Sequence, residues 1–321
     1  MAVVRRNILN DNAVRDSFIQ GIQALKAEDT GRTTTDFRIA GPTQMVSTYD
    51  VFVIWHFQAM MTMTPPNNPS GRNAAHRGPV FPAWHRVMLL TLERNLQRVL
   101  NDPGFGLPYW DWAADGDLAP AQQPTSALWH ADCLGGSGSP IATGPFAFHA
   151  AAPTSWRVRV TQAVQGNLVA VNRGLRRSLT RDIPMLPTTP EATDTLTVTP
   201  YDADPWNVDS DGFRNRLEGW TAGAGSSPPA MHNQVHVWIG GDMSPATSPN
   251  DPAFYLNHCN VDRLWESWLQ SQGRTYLPDM TAGDDLKGHR IDDPIVSPFG
   301  DNATPRQVLD VSSIYTYEAL N

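Results

Sequence analysis

The sequence predicts a mainly α protein, a central four-helix bundle coated by long irregular surface loops with few short strands. Three observations predict it. Apolar residues recur at helical spacing over 10–27 and 83–100, and 45–62 and 251–271 read as two further long helices, 45–62 strongly apolar and so buried. Residues 113–205 are rich in Gly, Ser, Thr and Pro, a composition that favours turns over regular elements. The 321 residues are 40% hydrophobic and 17% charged, enough apolar material for a large core without cross-links. With no internal repeat and no linker-like tract, one domain over 1–321 is expected.

The elements follow in order. Residues 10–27 open with Asn and Asp suited to a helix cap. Residues 45–62 (MVSTYDVFVIWHFQAMMT) are apolar nearly all round, so this helix is expected to be buried. A loop from Pro65 to Arg72 follows, and the amphipathic helix at 83–100 stops at Asn-Asp-Pro-Gly. The middle is read as long surface loops with one helical stretch near 155–180. Another helix begins in 210–220. The next spans 229–239, with Pro229 in its first turn. The last long helix is 251–271, and the tail from 274 is irregular with a few short strands. Trp84, Trp110, Trp112, Trp238 and Trp265 are read as core.

Charge and cysteine content exclude several functions. There are 24 basic and 32 acidic residues, a net charge of −8, with no Lys/Arg cluster to bind nucleic acid. No apolar run reaches the about 18 residues of a membrane-spanning helix. The opening MAVVRRNILN lacks a signal-length apolar stretch, so a cytoplasmic chain, or one exported with a partner protein, is expected. Two cysteines, Cys133 and Cys259, do not make a disulfide scaffold.

The chemistry lies in the histidines. Of nine, six form two groups: His56, His76 and His85 on or beside the helices at 45–62 and 83–100, and His232, His236 and His258 on the helices at 229–239 and 251–271. His232 and His236, four residues apart, share a helix face. A third imidazole from a facing helix completes a three-nitrogen metal site, as helical bundles build them. HNQVH lacks the Glu of a zinc-protease helix, and the Glu-x-x-His pairs of di-iron bundles are missing. All-imidazole ligation suits copper, zinc or nickel; the spacing does not choose among them.

Four segments resemble the tyrosinase and polyphenol oxidase family of type-3 copper proteins, particularly the short actinobacterial tyrosinases and o-aminophenol oxidases. They are AHRGPVFPAWHR (75–86), LPYWDW (107–112), FRNRLEGW (213–220) and HNQVHVWIGGDM with SPNDPAFYLNHCNVDRLW (232–265). The resemblance implies a bundle holding a dinuclear copper site, with His56, His76 and His85 on one copper and His232, His236 and His258 on the other. It implies dioxygen as co-substrate and a phenol stacked near His236. Glu218 and Asn233 fall at the positions that hold a water for monophenol deprotonation. Alternatively, Glu218 forms a plain buried ion pair with Arg214 or Arg216.

Around these, Phe254 is expected to pack on the ligand rings, and Val237 and Asn257 to border the substrate pocket. Asp262, one turn after His258, would orient a ligand or pair with Arg263; Asp111 would be a structural capping residue. Tyr315 and Tyr317 resemble a closing motif that pairs with an N-terminal arginine, Arg5 or Arg6. Asn257 stands where the family usually carries a histidine, which bears on substrate preference. Asn73, Ala74 and Ala75 leave no cysteine before His76 for a thioether bond. Cys259 is read as a small buried residue. About 20 residues separate His56 from His76, and TAGAGSSPPA precedes His232, insertions that reshape the pocket mouth. His130, His149 and His289 are read as surface or loop histidines.

Functionally, the resemblance implies an oxidase that turns monophenols and o-diphenols into o-quinones. An o-aminophenol oxidase forming quinone imines or phenoxazinones is the alternative. A haemocyanin-like oxygen carrier is a third reading; it would need a covering domain, which the chain is not expected to have. A small copper-delivery protein is an implied partner.

Overall fold

A computed structural model describes residues 2–220 and 229–320. The mainly helical prediction holds. After strand β1 (Val3–Arg5), helix α1 (Asn12–Ala27) starts at Asp11, whose carboxylate accepts from the amides of Ala13 and Val14 at 3.0 and 3.1 Å. Strands β2 (Asp29–Thr33) and β3 (Met45–Ser47) pair antiparallel and lead into α2 (Thr48–Met61). A reciprocal Ser47–Asp50 capping box fixes the start of α2. The same Asp50 carboxylate receives Lys26 from α1 and Arg159. One buried acid therefore starts a helix and clamps it to its neighbour.

Helix α3 (Phe81–Leu100) begins with Pro82 in its first turn and ends where Asn101 turns left-handed at φ 51°. Two short helices, α4 (Trp112–Gly116) and α5 (Thr189–Leu196), lie in the loop-rich middle and flank the hairpin of β4 (Val158–Gln162) and β5 (Leu168–Arg173). The second half supplies α6 (Phe213–Glu218), α7 (Met231–Ile239) and α8 (Ala253–Gln272). Strand β6 (Tyr315–Tyr317) returns parallel to β1, pairing Val3 with Tyr315.

Two expectations change here. The stretch near 155–180 is the β4–β5 hairpin, not a helix. Val158 and Val160 alternate with outward residues and are fully buried, a period of two, and Gly166 turns the chain at φ 89°. Asp262 neither orients a ligand nor pairs with Arg263. It lies at the centre of a buried network, accepting from Arg86 at 2.5 Å, Arg5 at 3.2 Å, Tyr315 at 2.5 Å and Tyr317 at 2.6 Å. Burial alone would raise its pKa; Arg86, Arg5 and the tyrosine hydroxyls instead hold it below the usual carboxylate range. Of the two N-terminal arginines, Arg5 is the tyrosines' partner, its guanidinium 3.5 Å from the Tyr315 ring centroid. Arg263 pairs with Asp111, which also caps α4.

The five tryptophans read as core are buried, none more than 2% exposed. Cys133 and Cys259 are free and buried. No described helix is long and apolar enough to cross a membrane. Most of the insert TAGAGSSPPA lies outside the described residues.

Candidate metal centre

The six histidines converge. His56 comes from α2, His85 from α3, His232 and His236 from α7 and His258 from α8; His76 stands on the loop before α3. Within each triad the candidate ligand nitrogens lie within 4.8 Å of one another. The triads adjoin: His85 stacks on His258, and the His76 and His232 ring centroids are 6.0 Å apart.

Backbone carbonyls aim four of the rings. His56 Nδ1 meets Ala246 O at 2.7 Å, His85 Nδ1 meets Phe81 O at 2.8 Å, and His236 Nδ1 meets Met243 O at 2.7 Å. His232 Nδ1 meets Glu218 O at 3.2 Å and Asn233 Oδ1 at 3.1 Å. A carbonyl accepts only from N–H, so each ring carries its proton on Nδ1 and presents an Nε2 lone pair inward. The 81–85 contact is local to α3; the other three carbonyls come from other segments.

The donor set fits copper ions. Among the described residues Nε2 of His56 and of His85 is buried without a hydrogen-bond partner. Nε2 of His258 lies 3.1 Å from that of His232 and 3.3 Å from that of His236. One N–H on His258 cannot serve two lone pairs well, whereas one cation serves all three. Burial pushes the His56 imidazole down to about 3 and that of His236 to about 4, and lowers the other four well below the ordinary value, with neighbouring imidazoles adding to it for these four. All six are therefore neutral at pH 7, the form that binds metal.

A cavity of about 330 Å³ opens onto His56, His76, His232 and His236. Its wall carries Glu218, Asn233 and Val237, with Met60, Trp220, Pro245 and Ser248 among the rest. Glu218 is placed by the end of α6. Gly219 turns at φ 105°, and a Cβ there would lie 2.0 Å from Ala230 O, so only glycine lets α6 stop this close to the start of α7. Glu218 Oε1 accepts from the Arg77 amide at 2.7 Å and Oε2 from Arg214 at 3.1 Å. The ion pair with Arg214 therefore exists alongside the cavity-lining position. Burial raises the Glu218 pKa, and Arg214 and the Arg77 amide only partly oppose it.

The Common central domain of tyrosinase matches residues 46–271. The chain belongs to the tyrosinase family. It is 38% identical to a tyrosinase of Streptomyces antibioticus over 275 residues, 84% of this chain and 89% of that one. It is 36% identical to grixazone synthase of Streptomyces griseus, covering 84% and 90% of the two chains. In fold it resembles a polyphenol oxidase from Thermothelomyces thermophila, with a TM-score of 0.71 and 23% identity over 100% and 89% of the chains. A functional unit of octopus hemocyanin aligns with a TM-score of 0.55 and 18% identity over 100% and 69%. As a tyrosinase-family protein the chain is a type-3 copper oxidase, a copper-dependent phenol oxidase whose cofactor is a pair of copper ions.

Other sequence-based placements meet the tyrosinase-type site unevenly. Phe254 packs where expected, 4.1 Å from the His258 ring and 5.0 Å from that of His56. Val237 lines the cavity. Asn257 does not: it is fully buried and absent from the described cavity wall, because one step along α8 from His258 turns it to another face. His130 and His149 are exposed, but His289 is fully buried, with Nε2 2.8 Å from Thr64 Oγ1. Cys259 is buried beside Leu107 O and the Tyr317 hydroxyl, and burial pushes its thiol up to about 12. Sequence reasoning missed Phe81, 4.9 Å from both the His85 and His232 rings, and Arg77 in the wall. Both lie inside AHRGPVFPAWHR, the signal that could have named them.

Proposed function

We propose that His56, His76 and His85 hold one copper and His232, His236 and His258 the other, and that the enzyme hydroxylates monophenols and oxidises o-diphenols to o-quinones. The observation that carries the reading is the cavity: it reaches four of the six imidazoles and holds a carboxylate and an amide, Glu218 and Asn233, in its wall. A copper pair bound there supplies two-electron oxidation by dioxygen. The chain's own residues do the rest. The apolar wall around Val237, Met60 and Pro245 receives the ring face. Glu218 and Asn233 meet at His232 Nδ1, one through its carbonyl and one through its amide oxygen. They hold a water that takes the proton from a phenol hydroxyl, and the raised pKa of Glu218 suits that base role. Two diphenols yield the four electrons and four protons that reduce one dioxygen to two waters, whereas a monophenol takes up one oxygen atom of dioxygen and its conversion to the quinone reduces the other to water.

The identity to grixazone synthase is close to that with the tyrosinases over the same share of the chain. This supports a second reading, oxidation of o-aminophenols with little monophenol hydroxylation. The carrier reading is disfavoured by a cavity of about 330 Å³, roomy enough for a phenol, leading to the imidazoles. Copper delivery by a small partner protein fits ligands that are largely buried. Copper stoichiometry, followed by turnover of L-tyrosine, L-DOPA and 3-amino-4-hydroxybenzoate on the loaded protein, tests the reading. Two coppers per chain with tyrosine turnover is expected. Turnover of only catechols and aminophenols would replace the first reading by the second, and a protein that binds no copper would end both.

A further inference from the structure

We propose that Arg77 selects substrates that carry a carboxylate on the ring, with the guanidinium at the cavity wall pairing with that carboxylate; this rests on the phenol-oxidase reading above. Among the described lining residues only Arg77 and Glu218 carry formal charge at pH 7. Glu218 is buried and shares the Arg214 guanidinium with Asp202. Arg77 is exposed, and among the described residues its guanidinium has no ion pair or hydrogen bond. Among the described residues the Arg77 guanidinium thus keeps its donors free at the cavity wall.

The arginine is held in place. Its amide is fixed on Glu218 Oε1 at 2.7 Å, and its Cζ lies 5.8 Å from the centroid of the Trp220 ring, which also lines the cavity. Its backbone is left-handed at φ 61°, a conformation that favours glycine or asparagine over arginine. An arginine kept there gains nothing from local backbone preference, and its fork of donors matches a carboxylate. The cavity, about 330 Å³, has room for an aromatic ring with its reacting hydroxyl toward the imidazoles. Arg77 lines the same wall and is the cationic group there that a carboxylate on that ring can meet. Phenols and aminophenols of the hydroxybenzoate type are the class this fits.

The test compares 3,4-dihydroxybenzoate with its methyl ester on copper-loaded wild type, Arg77→Asn and Arg77→Lys. Asparagine tolerates the left-handed backbone and keeps the amide that holds Glu218. In wild type the acid is expected to show a KM about 10-fold below the ester's, shrinking at high salt as a partly exposed ion pair should. Arg77→Asn should raise KM for the acid alone by about that factor, with kcat little changed, and Arg77→Lys should restore part of it. A wild-type KM ratio near one, or an equal effect of Arg77→Asn on both substrates, would overturn the inference while leaving the oxidase reading intact. If neither substrate is oxidised, the oxidase reading fails. NMR binding of benzoate against benzamide to wild type and Arg77→Asn then decides the inference, which stands on benzoate binding lost with the charge and falls on equal binding. Should Arg77→Asn not fold, the wild-type acid-to-ester ratio and its salt dependence decide in the same way.

Discussion

The imidazole rings of His85 and His258 stack face to face, centroids 4.1 Å apart and planes 13° from parallel. They come from α3 and α8 and belong to different triads, so this contact is where the two halves of the centre meet. His258 Nδ1 is buried without a hydrogen-bond partner, unlike Nδ1 of His85 on Phe81 O. Packing between His85 and Phe254, rather than a hydrogen bond, orients the His258 ring.

His85→Ala is therefore expected to weaken both metals. The first triad loses a ligand, and the second loses the ring that sets His258. Copper per chain should fall from about 2 to below 1, with activity down by at least about 100-fold. Metal analysis after dialysis checks this, and a variant retaining one full-occupancy copper would show that the triads are independent.

Glu218→Gln should separate the two reactions. Hydroxylation of a monophenol needs a base for the phenol proton; oxidation of a diphenol at neutral pH leans on it less. Loss of one positioned base is worth about 10²–10⁴-fold, so tyrosine turnover should drop in that range while L-DOPA oxidation falls much less. Steady-state rates on both substrates check it, and equal losses would mean that Glu218 serves only the ion pair with Arg214.

Asp262→Asn should destabilise the fold by about 3–5 kcal/mol, because Arg86 and Arg5 would remain buried without their shared anion. Asp262 makes no described contact with a ligand imidazole, so copper stoichiometry of the folded protein should be unchanged. Denaturant unfolding with metal analysis on the same sample tests both halves.

His289 makes stability depend on pH. Burial chiefly, then Arg72 and Arg214, lower its pKa to about 3, whereas an unfolded histidine titrates near about 6.5. Between those values the unfolded chain binds a proton that the folded chain refuses. The contribution is present above about pH 6.5 and is lost as pH falls below it. His289→Gln should reduce the pH slope of unfolding free energy in that window by about 1.4 kcal/mol per pH unit. Urea melts of metal-free wild type and variant at several pH values between 4 and 7 measure the difference.

The helix-bearing parts of this chain were legible because their signal is local. Helical spacing marked α1 and α3, a long apolar run marked α2, and the spacing of His232 and His236 put two imidazoles on one face of α7. The hairpin at β4 and β5 was misread because the alternation in VRVTQ, a strand period carried by only a few residues, was passed over. Asp262 was misplaced for a related reason, whereas His289 stands in a loop as read but is buried there. Sequence distance placed Asp262 near His258 and Arg263, but its partners are Arg5, Arg86, Tyr315 and Tyr317, brought in from both ends of the chain.

By itself the sequence determined which six side chains could bind metal and which helices carry most of them, since ligand chemistry and helical period are properties of residues and their neighbours. Only the tertiary structure decided where those lone pairs point, that Asn257 faces away from the cavity, and that Arg77 stands in its wall with no anion among the described residues. Each of these depends on a carbonyl, a ring or an empty space supplied by a distant segment, and burial, which sets the charge of every group in the site, exists only once those segments have packed.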